Sequence, residues 1–418
     1  MPVSNTAWAN DLLRNSAGAR TMGTGGIVAM ADDPLAAMTG NPAYLTSQTE
    51  TSVQVGLTTV LIDARYSNIV EAGNKADSGP GFVPDLAVVH PLDGSELTLG
   101  GAITTQSALK ADYRFPDPPG TLGVTYGVQK HKSEYIVLKS AVGAAYNLND
   151  TVSVGGSLGI SYNRNRLKAP YIFQSHPVLK GLKVLTNLDT DGLGVNATLG
   201  VDYRPSDKFL LSAGYSFKTA FNATGRITGN LGELGLPISP EFKYDAEVDT
   251  AVPRSVSLSA AWQATPQLML GVQLDWIDWS DAFDQLPLHF TNGDNIALNA
   301  LLGSDAIDDT APLDWRDQYI FHIGSEYRWS DNVSLRAGYQ YGRSPVPAAT
   351  LTPMTAAITK HAVSLGLGYQ SVDYTIDLAY RWSLPNTERA GNSILLGGEF
   401  NDSSTRVGTH WFGFSIRF

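Results

Sequence analysis

Cysteine is absent from the sequence, which removes disulfide staples, thiolate nucleophiles and cysteine-based metal centres together. Long apolar runs are absent too. Nowhere do the roughly 18 to 20 consecutive apolar residues of a membrane helix occur, so a helical membrane protein is excluded. Basic charge is scarce: 29 Lys and Arg stand against 40 Asp and Glu, a formal net charge of −11. The basic surplus expected of a nucleic-acid-binding chain is therefore missing. The opening Met1-Pro2-Val3-Ser4 has neither the charged nor the apolar region of an export signal. Either an initiator methionine replaces such a signal or the chain is not exported; the patterns that follow favour the first.

Glycine (41) and tyrosine (18) are plentiful, and only 17% of residues are charged. From about residue 48 the chain alternates with period two, which sends successive side chains to opposite faces of a strand. Phe209, Leu211, Ala213, Tyr215 and Phe217 interleave with Ser212, Gly214 and Ser216. Val333, Leu335, Ala337, Tyr339 and Tyr341 alternate with Ser334, Arg336, Gly338 and Gln340. Tyr374, Ile376, Leu378, Tyr380 and Trp382 do so with Thr375, Asp377, Ala379 and Arg381. Soluble sandwiches alternate as well, but aromatic residues gathered at strand ends fit the interfacial girdles of a membrane barrel.

Short turns fall near residues 92–95, 147–150, 205–207, 265–267, 330–332 and 371–373, and longer links separate them. Tight and long connections in strict alternation describe an up-and-down barrel with short periplasmic turns and long outer loops. Fourteen strands result. The chain ends on Trp411-Phe412-Gly413-Phe414-Ser415-Ile416-Arg417-Phe418, similar to the closing strand that outer-membrane assembly machinery recognises. Residues 1–45 break the pattern. They are rich in Gly and Ala, offer no long helix or strand, and are too apolar and weakly charged for a disordered tail. A compact insert inside the barrel fits them, because small residues let backbone approach the wall.

The stretch from Ala31-Asp32-Asp33 to Asn41-Pro42-Ala43 resembles the N-terminal hatch of FadL-type outer-membrane transporters. Asp314-Trp315-Arg316-Asp317-Gln318-Tyr319, then Gly324, Tyr327, Leu335-Arg336-Ala337-Gly338 and Ser344-Pro345-Val346-Pro347, resemble that family's tenth and eleventh strands and the loop beyond. Trp279-Ser280 and Pro253 add to the likeness, which runs along nearly the whole chain. The resemblance implies an all-β fold: a 14-stranded antiparallel transmembrane β-barrel (residues 46–418) in the bacterial outer membrane, plugged by residues 1–45. It also implies passive uptake of hydrophobic compounds, foremost long-chain fatty acids. Ligand would be caught at the outer loops, held in a lumen pocket and released sideways through the wall. Neutral or aromatic hydrocarbons by the same route, or a general diffusion porin, are the alternatives.

Candidate residues follow. Asn41, Pro42 and Ala43 are expected to fix the hatch, although Asn-Pro is also an ordinary turn initiator. Gly100 and Gly101 interrupt the third strand and mark a bulge, a close approach or a plain corner; the resemblance implies a gating role, since the family's wall opens at this strand near the hatch. Alternation puts Trp315, Tyr319, Phe321 and Ile323 toward lipid, and Arg316, Gln318, His322, Glu326 and Arg328 toward the lumen. Arg316 and His322 are then pocket candidates, Arg316 as a carboxylate partner or as part of a lumen ion pair. The resemblance implies a role for Arg164 and Arg166 in substrate binding as well, whereas alternation turns both outward, toward lipopolysaccharide phosphates. Phe173 and Leu301 represent apolar outer-loop residues suited to a capture groove or to loop packing.

Two patterns carry no chemistry. Gly155-Gly156-Ser157-Leu158-Gly159 spells a nucleophile motif but lies mid-strand, without the strand–turn–helix context it requires. Asp275, Asp278, Asp281 and Asp284 recur every third residue but lack the Gly and Glu of a calcium loop; a solvated rim is expected, with loose divalent-cation binding as the alternative. No enzyme activity, cofactor or metal is expected. The expected partners are a hydrophobic small molecule and outer-membrane lipid, with no nucleic acid and the chain monomeric.

Overall fold

The computed structural model describes residues 12–13, 17–120 and 123–418. Fourteen staves run antiparallel in chain order. Six are continuous at the start: β1 (Ser52–Ser67), β2 (Gly81–Pro91), β3 (Leu97–Pro116), β4 (Val128–Asn147), β5 (Val152–Ile172) and β6 (Lys183–Ser206). Four are each broken into two segments: β7 (Phe209–Ser216, Thr219–Asn230), β8 (Glu241–Val252, Ser255–Gln263), β9 (Leu268–Ile277, Gln285–Thr291) and β10 (Ile307–Pro312, Gln318–Arg328). β11 (Val333–Gly342), β12 (His361–Gln370), β13 (Thr375–Arg389) and β14 (Ser404–Arg417) complete the wall. β14 pairs back onto β1 from Gln54↔Arg417 to Ser67↔Ser404, so the first and last staves close the sheet into a barrel.

The wall is sorted by alternation. Along β9, Leu270, Val272 and Leu274 are exposed on the outside while Gln273 and Asp275 are buried within. Ile103, Val142, Leu158, Ile160, Leu193 and Val195 continue the outer apolar surface over β3 to β6. Lipid covers such residues in a membrane barrel, and each aliphatic side chain kept from water contributes about 1.5–3 kcal/mol. No helix among the described residues is long and apolar enough to cross a membrane.

The N-terminal residues form short, locally encoded pieces. Helix α1 spans Ala19–Gly23 and α2 spans Pro34–Thr39; 3₁₀ turns cover Val28–Met30 and Pro42–Ser47. Asp33 caps α2 by accepting the Ala36 N–H at 2.9 Å, with Pro34 in the first turn. Asn41 repeats the device: its Oδ1 accepts the Ala43 N–H at 2.9 Å, and Pro42 follows. A side-chain acceptor before a proline satisfies an orphan donor where proline itself offers none. The two Asx-Pro pairs therefore start α2 and the 3₁₀ turn that follows it.

This segment packs on the inside of staves all round the barrel. The wall makes room for it with glycine. Gly155, Gly200 and Gly214 are cross-strand neighbours on β5, β6 and β7, and a side chain on any of them would run into Gly40, Asn41, Pro42 or Ala43. Gly271, Gly324 and Gly338 are neighbours on β9, β10 and β11. Side chains there would strike Met30, Thr24 and Gly25. Of the readings open for Gly100-Gly101, the bulge is absent and Gly100 makes a close approach. Both glycines sit in regular register with Val89 and Val88 on β2, and with Gly143 and Val142 on β4. Gly100 instead admits Leu45 and Met38 against the wall. The irregularity of β3 lies six residues on, at Gln106, where the register to β4 slips between Thr105 and Ser107.

Candidate functional site

Three features lie in series inside the barrel: the anchored N-terminal segment, an apolar cavity beyond it, and a break in the wall beside both.

The anchors are polar and buried. Asn41 Nδ2 donates to Ser212 Oγ at 2.6 Å and to Asp202 Oδ1 at 2.8 Å. On the opposite side His322 Nδ1 donates to the Gly25 carbonyl at 2.7 Å, and its Nε2 lies 3.0 Å from Asp275 Oδ2. Gln273 bonds to Asp275 at 2.9 Å and accepts the Val28 N–H at 2.9 Å. Arg20 reaches Glu326 at 3.1 Å, and Arg336 joins Glu326 at 2.5 Å and Asp377 at 2.6 Å. Buried polar groups arranged in this way are costly to separate, since each would be left unpaired.

The cavity measures about 220 Å³. Leu12, Leu109, Tyr135, Leu167, Leu288 and Phe283 form much of its wall, with Met354, Leu395 and Phe400 from the outer loops. Its polar side chains, the Thr250 hydroxyl excepted, are turned to protein partners. Ser133 donates to the Met354 carbonyl at 2.6 Å, Tyr135 to Ala251 O at 2.9 Å, Thr350 to Leu313 O at 2.6 Å and Tyr171 to Asp309 at 2.6 Å. Glu399, also in the lining, is held 2.6 Å from Lys183 Nζ, which lies 2.6 Å from Asp117 as well. Burial pushes the Glu399 carboxyl up to about 7, against the pull of Lys183.

The wall break adjoins Leu12. β2 and β3 are paired only from Pro91↔Thr98 to Leu86↔Ile103. Beyond Ile103, β3 continues with β4 alone, while Gly81–Asp85 of β2 stay with β1. The two sides meet again above, where Asp77 N donates to Asp112 O at 2.7 Å and Lys110 Nζ to Ser78 O at 2.6 Å. Within the interval Leu13 forms a β-bridge to Ser107, whose Oγ donates to Leu12 O at 2.6 Å. The N-terminal segment thus covers the break from inside.

The expected site residues are scattered among these features. Asn41, Pro42 and Ala43 lie against the β5–β7 glycines. His322 faces inward but holds the N-terminal segment, outside the cavity lining. Arg316 corrects the alternation argument. β10 breaks after Pro312 and resumes at Gln318, and Asp314 takes a positive φ of 51°, so period two does not run through. Trp315 is buried, its ring 5.2 Å from Trp279 and 4.9 Å from Phe283, and Arg316 is exposed. Arg164 and Arg166 alternate with inward Asn163 and Asn165 and pair with Asp189 at 3.1 and 3.2 Å; Arg166 also borders the cavity. Phe173 is buried in an outer cluster with Leu179 and Phe242. Leu301 stands exposed on the short helix Ile296–Leu302. Neither lines the cavity. The sequence reading missed Leu12, Tyr135, Phe283 and Leu288. The one signal for them was aromatic and aliphatic residues at inward positions beyond the membrane level.

A family model described as outer membrane protein transport protein (OMPP1/FadL/TodX) matches residues 2–395. A long-chain fatty acid transport protein of Shigella flexneri is 22% identical over 447 residues, covering 96% of this chain and 95% of its own. Outer membrane protein P1 of Haemophilus influenzae is 23% identical over 341 residues, covering 68% and 71%. The crystal structure of the Pseudomonas putida toluene transporter TodX superposes with a TM-score of 0.78 at 20% identity, covering 99% of both chains. At that identity the structural likeness speaks for the fold.

Proposed function

Because the chain belongs to the OMPP1/FadL/TodX family of outer membrane transport proteins, we propose that it admits hydrophobic compounds passively across the outer membrane, with small neutral ones preferred. The observation that carries the preference is the cavity lining. Apart from the Thr250 hydroxyl, its hydroxyls and charges are engaged by protein partners and its remaining surface is apolar. Burying a carboxylate without a partner is costly, whereas each buried CH₂ contributes about 0.8 kcal/mol. At about 220 Å³ the cavity exceeds the roughly 150 Å³ apolar cavity that suffices for benzene. The transport proteins matched above include one named for toluene and one for long-chain fatty acids.

The route runs from the outer loops into the cavity, past Leu12 and Leu13, and out through the interval between β2 and β3 into the bilayer. Residues 1–45, of which 1–11 and 14–16 lie outside the described residues, act as the hatch, pinned through Asn41 and His322. An apolar solute on this path never enters water. A fatty acid remains the second reading: its tail would occupy the cavity with the carboxylate at the outer rim. Nothing in the site calls for catalysis. Outer-leaflet lipid is the partner of the outward face, and one chain closes the barrel, so a monomer suffices.

Binding tests the reading directly. Phe283 lies against both Trp279 and Trp315, so tryptophan emission of the detergent-solubilised protein reports on the cavity. Titration with toluene should change it at lower concentration than titration with a fatty acid of similar size. A steady open pore in planar bilayers, with no response to either solute, would overturn the proposal in favour of a porin.

A further inference from the structure

On the outside of the barrel, above the apolar surface, charge is unevenly distributed. Among the outward charged side chains of β7 to β10 at this height, the acidic Asp245, Glu247, Asp249 and Asp308 outnumber Arg226 and Lys243. Those of β3 to β5 are mainly basic. In a chain of net charge −11, such a sector asks for an explanation.

Its pairing makes the point sharper. Lys132 on β4 stands directly opposite Lys168 on β5, and Arg114 on β3 directly opposite Lys130 on β4. Like charges directly opposed across a sheet destabilise it. Carboxylates nearby answer only part of the charge. Asp112 lies 3.1 Å from Lys130, while Glu134 is shared, at 3.6 Å each, between Lys132 and Arg166. Asp189 is taken by Arg164 and Arg166 together. Lys130, Lys132, Arg166 and Lys168 surround an outer cleft of about 270 Å³, to which Asp189 contributes the one carboxylate.

Height identifies the occupant. Along β5 the exposed aliphatics end at Ile160, Tyr162 follows, and then come Arg164, Arg166 and Lys168 on the same face. At roughly 3.3 Å per residue and a tilt near 40°, Arg164 rises about 5 Å and Lys168 about 15 Å above Tyr162. Interfacial aromatics mark the headgroup level. The basic cleft therefore stands where the phosphates of a large, multiply phosphorylated lipid headgroup lie, with its acyl chains against Leu158, Ile160 and Val142 below.

We propose that the cleft bounded by Lys130, Lys132, Arg166 and Lys168 binds the phosphate groups of a phosphorylated glycolipid of the outer leaflet. The opposed lysines then form the binding site of an anion, and the lipid turns mutual repulsion into shared charge-assisted contacts. The inference rests on the outer-membrane barrel, but not on what the cavity carries.

The purified full-length protein in a zwitterionic detergent is the material for the test, with a diphosphorylated lipid A-type glycolipid as probe. Its enzymatically dephosphorylated form and inorganic phosphate serve as comparisons. The wild type should bind the diphosphorylated probe at least ten-fold more tightly than the dephosphorylated one. Lys132→Gln/Lys168→Gln should remove most of that difference while keeping the heat-modifiable mobility of a folded barrel. Lys168→Glu provides a second readout: it should raise the thermal midpoint without glycolipid and abolish the further rise that glycolipid gives the wild type. Equal binding of both glycolipid forms, an unaffected double variant, or a lower midpoint for Lys168→Glu would each overturn the proposal. Displacement by inorganic phosphate at equimolar concentration would overturn the lipid assignment. Toluene binding in the cavity should be unchanged throughout, which separates this result from any failure of the uptake reading.

Discussion

The imidazole of His322 holds the carbonyl oxygen of Gly25 at 2.7 Å while its other nitrogen lies 3.0 Å from Asp275. One wall side chain thereby fixes the backbone of the N-terminal segment at the point where Gly324 and Gly338 let it touch the barrel. Replacing His322 by Phe removes both bonds and leaves the Gly25 carbonyl and Asp275 short of a buried partner, a loss of roughly 1–3 kcal/mol each. His322→Phe should fold as a barrel yet show more frequent conductance openings in planar bilayers. A trace as quiet as the wild type would mean that His322 is not a hatch anchor.

Gly200 makes the opposite test. Any side chain there overlaps the Asn41 amide, which holds Ser212 and Asp202. Gly200→Leu should displace the Asn41–Ala43 turn, reduce protection of residues 36–47 from hydrogen exchange, and cost about 1–3 kcal/mol of overpacking. The outward-facing Val201→Leu serves as control and should do neither.

Filling the cavity should block it. Leu288→Trp places a larger ring among Leu286, Val248 and Phe283 and should weaken toluene binding ten-fold or more. Arg316→Ala, outside the lining, should alter it less than two-fold. If Arg316→Ala proved the more damaging change for a fatty acid, the carboxylate reading would return.

Glu399 gives a pH dependence with a definite sign. Its folded-state value of about 7 lies above the ordinary 4.5 because burial disfavours the charged form. Between those values the folded chain holds more protons than the unfolded one, so stability falls as pH rises from about 4.5 to about 7. Asp117, on the other side of Lys183, is raised by burial too and acts in the same direction. Thermal midpoints measured from pH 4 to 8 should decline for the wild type. They should flatten for Glu399→Gln, the difference reaching on the order of 3 kcal/mol.

The wall was legible in the sequence wherever strands are regular. Phe209, Leu211 and Phe217, or Leu335, Tyr339 and Tyr341, are exposed on the outer face as their alternation requires. Alternation misleads where a stave is interrupted. Between Pro312 and Gln318 the chain leaves the sheet and turns at Asp314, so Trp315 and Arg316 exchange the sides that counting assigns them. The third strand shows a different limit. Gly100-Gly101 looks like a fault and is regular, because Gly100 serves a neighbour that counting along one strand does not see. The true slip at Gln106 falls in Thr104-Thr105-Gln106-Ser107, a run with no apolar alternation to betray it. The cavity was hidden for a related reason: it is assembled from single residues of many strands and loops, and periodicity reports which way a residue points but not what it meets.

The glycine rows also set an order of events. Residues 17–48 precede every strand in the chain, yet their seat includes Gly155, Gly200 and Gly214 at one side, Gly324, Gly338 and Gly366 at the other, and Gly413 on the last strand. That seat does not exist until β14 has met β1. The segment made before every strand must therefore wait, holding only its capped turns at Asp33 and Asn41, and dock after the cylinder around it is complete.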